Sequence, residues 1–184
     1  LCPRKCGVDR NIQRGACNAP YFPYVAKAAL HMWEEPCISG KRGSGAIFFC
    51  GCNLKCVFCQ NYDISNGSVG KMYDAEGIAE LMLRLQGKGA HNVNLVSPAP
   101  FVPVLADAIR AAKNRGLSIP VVYNTNSYET LEALRMLDGL VDIYLPDLKY
   151  VSGAVSKKYS GTENYFEYAA PAVQEMFRQT GLLE

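Results

Sequence analysis

Ala46-Ile47-Phe48-Phe49-Cys50, then Gly51, then Cys52-Asn53-Leu54-Lys55-Cys56-Val57-Phe58-Cys59: a short apolar strand runs directly into a C-x3-C-x2-C loop. Three thiolates in one loop can each hold one iron of a cubic 4Fe-4S cluster, and soft sulfur ligands select iron–sulfur clusters or zinc. Zinc sites usually pair one C-x2-C with a second such pair, which makes zinc the weaker reading. A cube on three cysteines leaves its fourth iron without a protein sulfur. A small molecule can chelate that iron, so the cluster can do chemistry where a four-cysteine cluster only passes electrons. Cys50, two places before the first ligand, reads as a buried strand residue.

The rest of the composition bounds the class. The 184 residues suit one domain, and the net charge of +2 is nearly balanced. No basic tract interleaved with aromatics appears, so nucleic-acid binding is not indicated. The longest apolar stretches are strand-length, short of the roughly 20 residues a membrane span needs. Eight cysteines could make disulfides, but their crowding at 50, 52, 56 and 59 argues for metal in a reducing cytoplasm. Leu1-Cys2-Pro3, with no initiator Met, reads as a cut end, which leaves a lost targeting segment open.

Upstream, Cys2-x3-Cys6 with Cys17 forms a second trio, readable as three ligands of a zinc or iron–sulfur site with a fourth from Cys37, His31 or a lost residue, or as inert thiols. Val25, Ala28, Ala29 and Met32 recur at spacings of three and four, which predicts a short helix over Tyr24–Trp33 carrying His31 and ending before Pro36. The glycine-rich Gly40–Gly45 stretch lacks a phosphate-loop ending and reads as a flexible turn.

From Ala46 the chain alternates strand and helix. Strands are expected at Ala46–Cys50, Asn92–Val96, Ile119–Tyr123 and Val141–Leu145. Helices are expected at Asp74–Gln86, N-capped by Asp74, at Phe101–Asn114 closed by Gly116, at Tyr128–Leu137, and at Phe166–Thr180, presenting Phe166, Ala170, Val173 and Phe177. Such units build a parallel sheet with helices over it, and ligands of such sheets sit at the carboxyl ends of the strands. Those ends carry Asn94 and Ser97; Asn124, Thr125 and Asn126; Asp147 and Lys149. Together with the loop they could hold the charged amino-acid part and ribose of a nucleotide-like ligand. Separately, Asn124–Ser127 could cap a helix, and Asp147 with Lys149 could be a surface pair.

The chain resembles the radical S-adenosylmethionine (SAM) superfamily, and within it the pyruvate formate-lyase activating-enzyme branch, over most of Gly45–Gly181. The resemblance rests on Cys52-x3-Cys56-Val57-Phe58-Cys59-Gln60-Asn61, on Thr125-Asn126, similar to the branch's Asp-Thr-Asn-Gly turn, and on Asp147-Leu148-Lys149. Cys2-Pro3-Arg4-Lys5-Cys6-Gly7-Val8-Asp9-Arg10 with His31-x-Trp33-Glu34-Glu35 resembles an activase-like subgroup. It implies an α/β fold, a partial parallel (βα)6-type barrel truncated here to about four units, with residues 1–44 as lead-in and 45–184 as the core. It also implies a 4Fe-4S cluster on Cys52, Cys56 and Cys59, and SAM held by Phe58, Asn61, Asn94, Ser97, Asn124, Asn126, Asp147 and Lys149. Two departures stand out. The branch's Gly-Gly-Glu, which binds the SAM amino group, is replaced by Ser97-Pro98-Ala99, shifting that role to Asn94 or Ser97. Asn124 and Ser127 stand where the branch has Asp and Gly.

The implied chemistry is one-electron reduction of bound SAM to a 5′-deoxyadenosyl radical that takes hydrogen from a substrate, here a glycyl-radical enzyme or another polypeptide. Cluster potentials span roughly −700 to +450 mV, and cleaving a sulfonium needs the low end, so a low-potential electron donor is implied. The contrasting reading is a non-catalytic electron carrier or a zinc-stabilised interaction module, which would close the fourth position with a protein ligand.

Overall fold

The computed structural model describes residues 1–67 and 69–182. Strands β1 (Tyr24–His31), β2 (Ser44–Phe49), β3 (Lys71–Met72), β4 (Val93–Val96), β5 (Val121–Thr125) and β6 (Ile143–Pro146) form one sheet in the order β3-β1-β2-β4-β5-β6. From β2 to β6 the neighbours run parallel, in the register Ala46↔Asn94↔Val122↔Ile143. These four are the expected parallel strands. β1 and β3 add an antiparallel edge.

The strands' two faces have different fates because side chains alternate with period two. Ile47 and Phe49, Val93 and Leu95, Val121 and Tyr123 enter the main core. They meet α3 (Ala75–Gly87) through Ile78, Met82 and Leu85, and α4 (Val102–Asn114) through Leu105 and Ile109. Asp74 caps α3 as expected, accepting from the Gly77 N–H at 2.8 Å. The opposite face carries Phe48, Val96, Asn124 and Leu145, which line an open cavity.

Several expectations are corrected. Tyr24–Trp33 is not a helix: Tyr24–His31 is a strand, with a bulge between Val25 and Lys27. The extra residue breaks the alternation, which puts Val25 and Ala28 on the core side at a spacing of three and mimics a helical period. The third helix is only α5 (Leu131–Arg135), capped by Thr130. Ser127 takes φ +62° and the Tyr128 N–H donates to Asn126 Oδ1 at 2.9 Å, so the turn outlasts the expected start. In α7 (Tyr165–Thr180) the buried stripe is Tyr165, Ala169, Ala172 and Met176, one residue earlier than expected, while Phe177 is 56 % exposed. Short helices α1 (Pro36–Ser39) and α2 (Tyr62–Ser65) and the longer α6 (Gly153–Ser160) were not expected. Among the described residues no helix is long and apolar enough to cross a membrane.

Gly45 sits where β2 passes under α3. A Cβ there would lie 2.9 Å from the Asn92 carbonyl oxygen and 3.0 Å from Leu85 Cβ. Gly45→Ala must push strand from helix and should cost on the order of 1–3 kcal/mol. Urea unfolding measures it, and an unchanged midpoint would contradict this packing.

Candidate functional site

The carboxyl ends of β2, β4, β5 and β6 open on one cavity of about 940 Å3. Ligand pockets run roughly 300–1,000 Å3, so it has room for a nucleoside-sized molecule. Cys52, Cys56 and Cys59 line it, with Phe58, Asn61, Ser97, Asn124, Asn126, Asp147 and Lys149. Asn94 does not join that lining. It lies in mid-β4, fully buried, and both polar atoms of its side chain lack a hydrogen-bond partner among the described residues. Ser97 adopts φ +58°, a conformation costly for serine, and its N–H donates to the Asn124 carbonyl at 3.0 Å.

The cysteine loop has no regular structure of its own, so side chains must fix it. Leu54 is fully buried in an aromatic cluster of Tyr128, Tyr150 and Tyr165, against which Cys52 and Cys56 pack. Asn53 ties three segments together. Its Nδ2 donates to the Tyr128 carbonyl at 2.6 Å, its Oδ1 accepts from Asn126 Nδ2 at 3.0 Å, and its carbonyl accepts from Arg4 Nε at 2.7 Å. Asn126 is therefore engaged in holding the loop, and its Nδ2 also faces Cys52 Sγ at 3.4 Å.

These residues suit an iron–sulfur cluster. The Leu54 N–H donates to Cys52 Sγ at 3.4 Å, and the Ser160 hydroxyl donates to Cys56 Sγ at 3.1 Å. The Tyr150 hydroxyl backs Ser160 at 2.7 Å. Burial pushes the Cys52 thiol up, the Leu54 and Lys55 amides oppose, and the neighbouring Cys56 and Cys59 add to the rise. A thiolate here needs positive charge beside it, which bound metal supplies. Among the described residues no group of three His, Cys, Asp or Glu side chains is placed to hold a single metal ion. On a cube each thiolate meets a different iron, so the sulfurs need not converge on one point.

Sequence reasoning missed the residues that join the strand-end loops. The buried Tyr165 hydroxyl lies 2.8 Å from both the Asn126 and Asp147 carbonyls and accepts from the Lys149 N–H at 3.0 Å. Burial first, with Asp147 nearby, pushes its phenol up to about 12. Asp147 and Lys149 pair at 2.7 Å on the cavity wall. Behind β5, Glu129 is buried and accepts from Thr125 Oγ1 at 2.7 Å and Tyr123 OH at 3.0 Å. Thr125 Oγ1 in turn accepts the Ser127 N–H at 3.2 Å, so Glu129 fixes the turn carrying Asn124 and Asn126. Burial raises the Glu129 carboxyl to about 7 despite both hydrogen bonds.

The N-terminal thiols Cys2, Cys6 and Cys17 line a separate cavity of about 250 Å3. Neither candidate fourth ligand is there. Cys37 is exposed on α1, and His31 lines the large cavity, edge-on to Phe48 at 5.8 Å. Cys50 is buried, and its thiol donates to the Val69 carbonyl.

Comparison with known proteins agrees with this geometry. Residues 46–179 match the Radical SAM superfamily, and the chain belongs to it. A protein of Methanocaldococcus jannaschii described as uncharacterized is 35% identical over 174 residues, covering 91% of this chain and 50% of the relative. The chain thus spans about half the length of that relative. Members of that superfamily typically use SAM and a 4Fe-4S cluster.

Two tests follow from the side chains. Hydrogen bonds to cluster sulfurs help set the potential. Ser160→Ala removes one from Cys56, so the reconstituted protein's midpoint should move negative in an EPR-monitored titration; an unchanged value would show that Ser160 does not tune it. Glu129 binds its proton more tightly folded than unfolded. Its stabilising effect is full below about 4.5, is lost as pH rises through about 7, and amounts to roughly 3 kcal/mol at most. Glu129→Gln mimics the neutral form, so its stability relative to the parent should rise between about pH 5 and 8. Parallel pH profiles in chemical denaturation would contradict a neutral Glu129.

Proposed function

We propose that this member of the radical SAM superfamily holds a 4Fe-4S cluster on Cys52, Cys56 and Cys59 and SAM across the strand ends, and acts as an activase on a glycyl-radical enzyme or another polypeptide. One observation carries the reading: three thiols on a single loop share one nucleoside-sized cavity with the polar ends of three further parallel strands. Held by Cys52, Cys56 and Cys59, a 4Fe-4S cluster would supply the one-electron reduction that cleaves SAM to methionine and a 5′-deoxyadenosyl radical, the electron coming from a low-potential donor.

This chain's residues bind and orient. Ser97 and Asn124 offer donors and acceptors to the amino-acid end of SAM, in place of the absent Gly-Gly-Glu. Asp147, held by Lys149, offers carboxylate oxygens to the ribose hydroxyls, and Asn61, whose side chain makes no capping bond to α2, faces the same space. Asn126 acts on SAM indirectly, by keeping the Cys52 loop and the β5 turn in register. A polypeptide substrate is supported by two exposed aromatics among the cavity-lining residues, Trp33 at 85 % and Phe58 at 56 % exposure. Exposed aromatics at a cavity mouth are what a macromolecular partner covers.

The test is anaerobic reconstitution of the full-length protein with iron and sulfide, reduction with dithionite, and measurement of 5′-deoxyadenosine from SAM. The expected result is cluster-dependent formation that Cys56→Ala abolishes. A protein carrying a complete cluster on these cysteines that binds SAM but never cleaves it would overturn the proposal.

A further inference from the structure

The cysteine loop has a counterpart in the lead-in. Cys2-Pro3-Arg4-Lys5-Cys6 and Cys52-Asn53-Leu54-Lys55-Cys56 share the C-x3-C spacing and a lysine before the second cysteine. Both lysines are in the left-handed region, Lys5 at φ +45° and Lys55 at +52°. That conformation is uncommon for a side chain of this size, and it recurs at the same place in both loops. In both, the amide two residues on acts on the first sulfur: Leu54 donates to Cys52, and the Arg4 amide bears on Cys2. The second sulfur of each also receives a donor, Ser160 at 3.1 Å on Cys56 and the Ala16 N–H at 3.3 Å on Cys6.

A third thiol completes the set. Cys17 lines the same cavity of about 250 Å3 as Cys2 and Cys6. Gly15 keeps the space open, since a Cβ there would stand 3.2 Å from Cys6 Sγ. We propose that Cys2, Cys6 and Cys17 hold a second iron–sulfur cluster. Zinc is the lesser fit because zinc wants four tetrahedral ligands around one point, and no such convergence exists among the described residues. The two loops share a wall: the Cys52 N–H donates to the Cys17 carbonyl at 3.2 Å, and Arg4 reaches the Asn53 carbonyl. A cluster so placed adjoins the one proposed on Cys52, Cys56 and Cys59.

The test uses the full-length protein reconstituted anaerobically with iron and sulfide, with both counted per chain and zinc assayed alongside. Cys2→Ser/Cys6→Ser should lose about half of the iron and sulfide bound by the parent. Neither residue is in the core, and circular dichroism checks that the fold persists. Cys52→Ser/Cys56→Ser/Cys59→Ser should keep the other half. Equal iron and sulfide in the parent and the Cys2/Cys6 variant overturns the second cluster, as does tightly held zinc that only this variant loses. Loss of all iron from the Cys2/Cys6 variant, with full retention by the other, would instead overturn the main cluster assignment.

Discussion

Everything at this site depends on a loop without secondary structure being held still, and Asn53 does most of the holding. Its side chain and carbonyl bind Tyr128, Asn126 and Arg4, which belong to the segment after β5 and to the lead-in. The residue is 1 % exposed, so each bond replaces water that cannot return. An orphaned buried polar group costs roughly 1–3 kcal/mol, enough to make this arrangement strongly preferred over neighbours one register away. Leu54, buried among tyrosines beside it, adds an apolar plug against which Cys52 and Cys56 pack at the cavity wall. The Val57 N–H closes the far side on the Tyr159 carbonyl at 2.9 Å.

This scaffold links the sheet to chemistry. Parallel strands deliver β5 and β6 to the same end as the cysteine loop, and the Tyr165 hydroxyl joins their turns through three backbone groups. Donors to sulfur come from a backbone amide, an asparagine and a serine, all uncharged. Neutral donors modulate the charge on a cluster without adding a cation, compatible with the low potentials that SAM cleavage requires.

Legibility in the sequence followed locality. The C-x3-C-x2-C loop, the Asp74 cap and the buried faces of α3 and α4 depend on neighbours in the chain, so spacing revealed them. The polar strand ends were also readable, because parallel topology sends them to one side; Asn94 was misplaced by lying one turn of the pleat too deep. Asn53, Ser160 and Tyr165 act across long separations, 104 residues for Ser160 and Cys56, and carry no local signature. β1 was hidden by a bulge that imitates a helical repeat. The lead-in thiols were visible as a trio, but the left-handed Lys5 and Lys55, at matching places before the second cysteine, are seen only in the structure.

The central claim is that one iron on the Cys52, Cys56, Cys59 cluster stays open to SAM. Mössbauer spectroscopy of 57Fe-labelled protein in which Cys2 and Cys6 are serine tests it most directly, with and without SAM. A single iron subsite should change its isomer shift when SAM is added while the others hold theirs. Spectra that superimpose at saturating SAM would mean a fourth protein ligand closes the cube, and the account would be wrong.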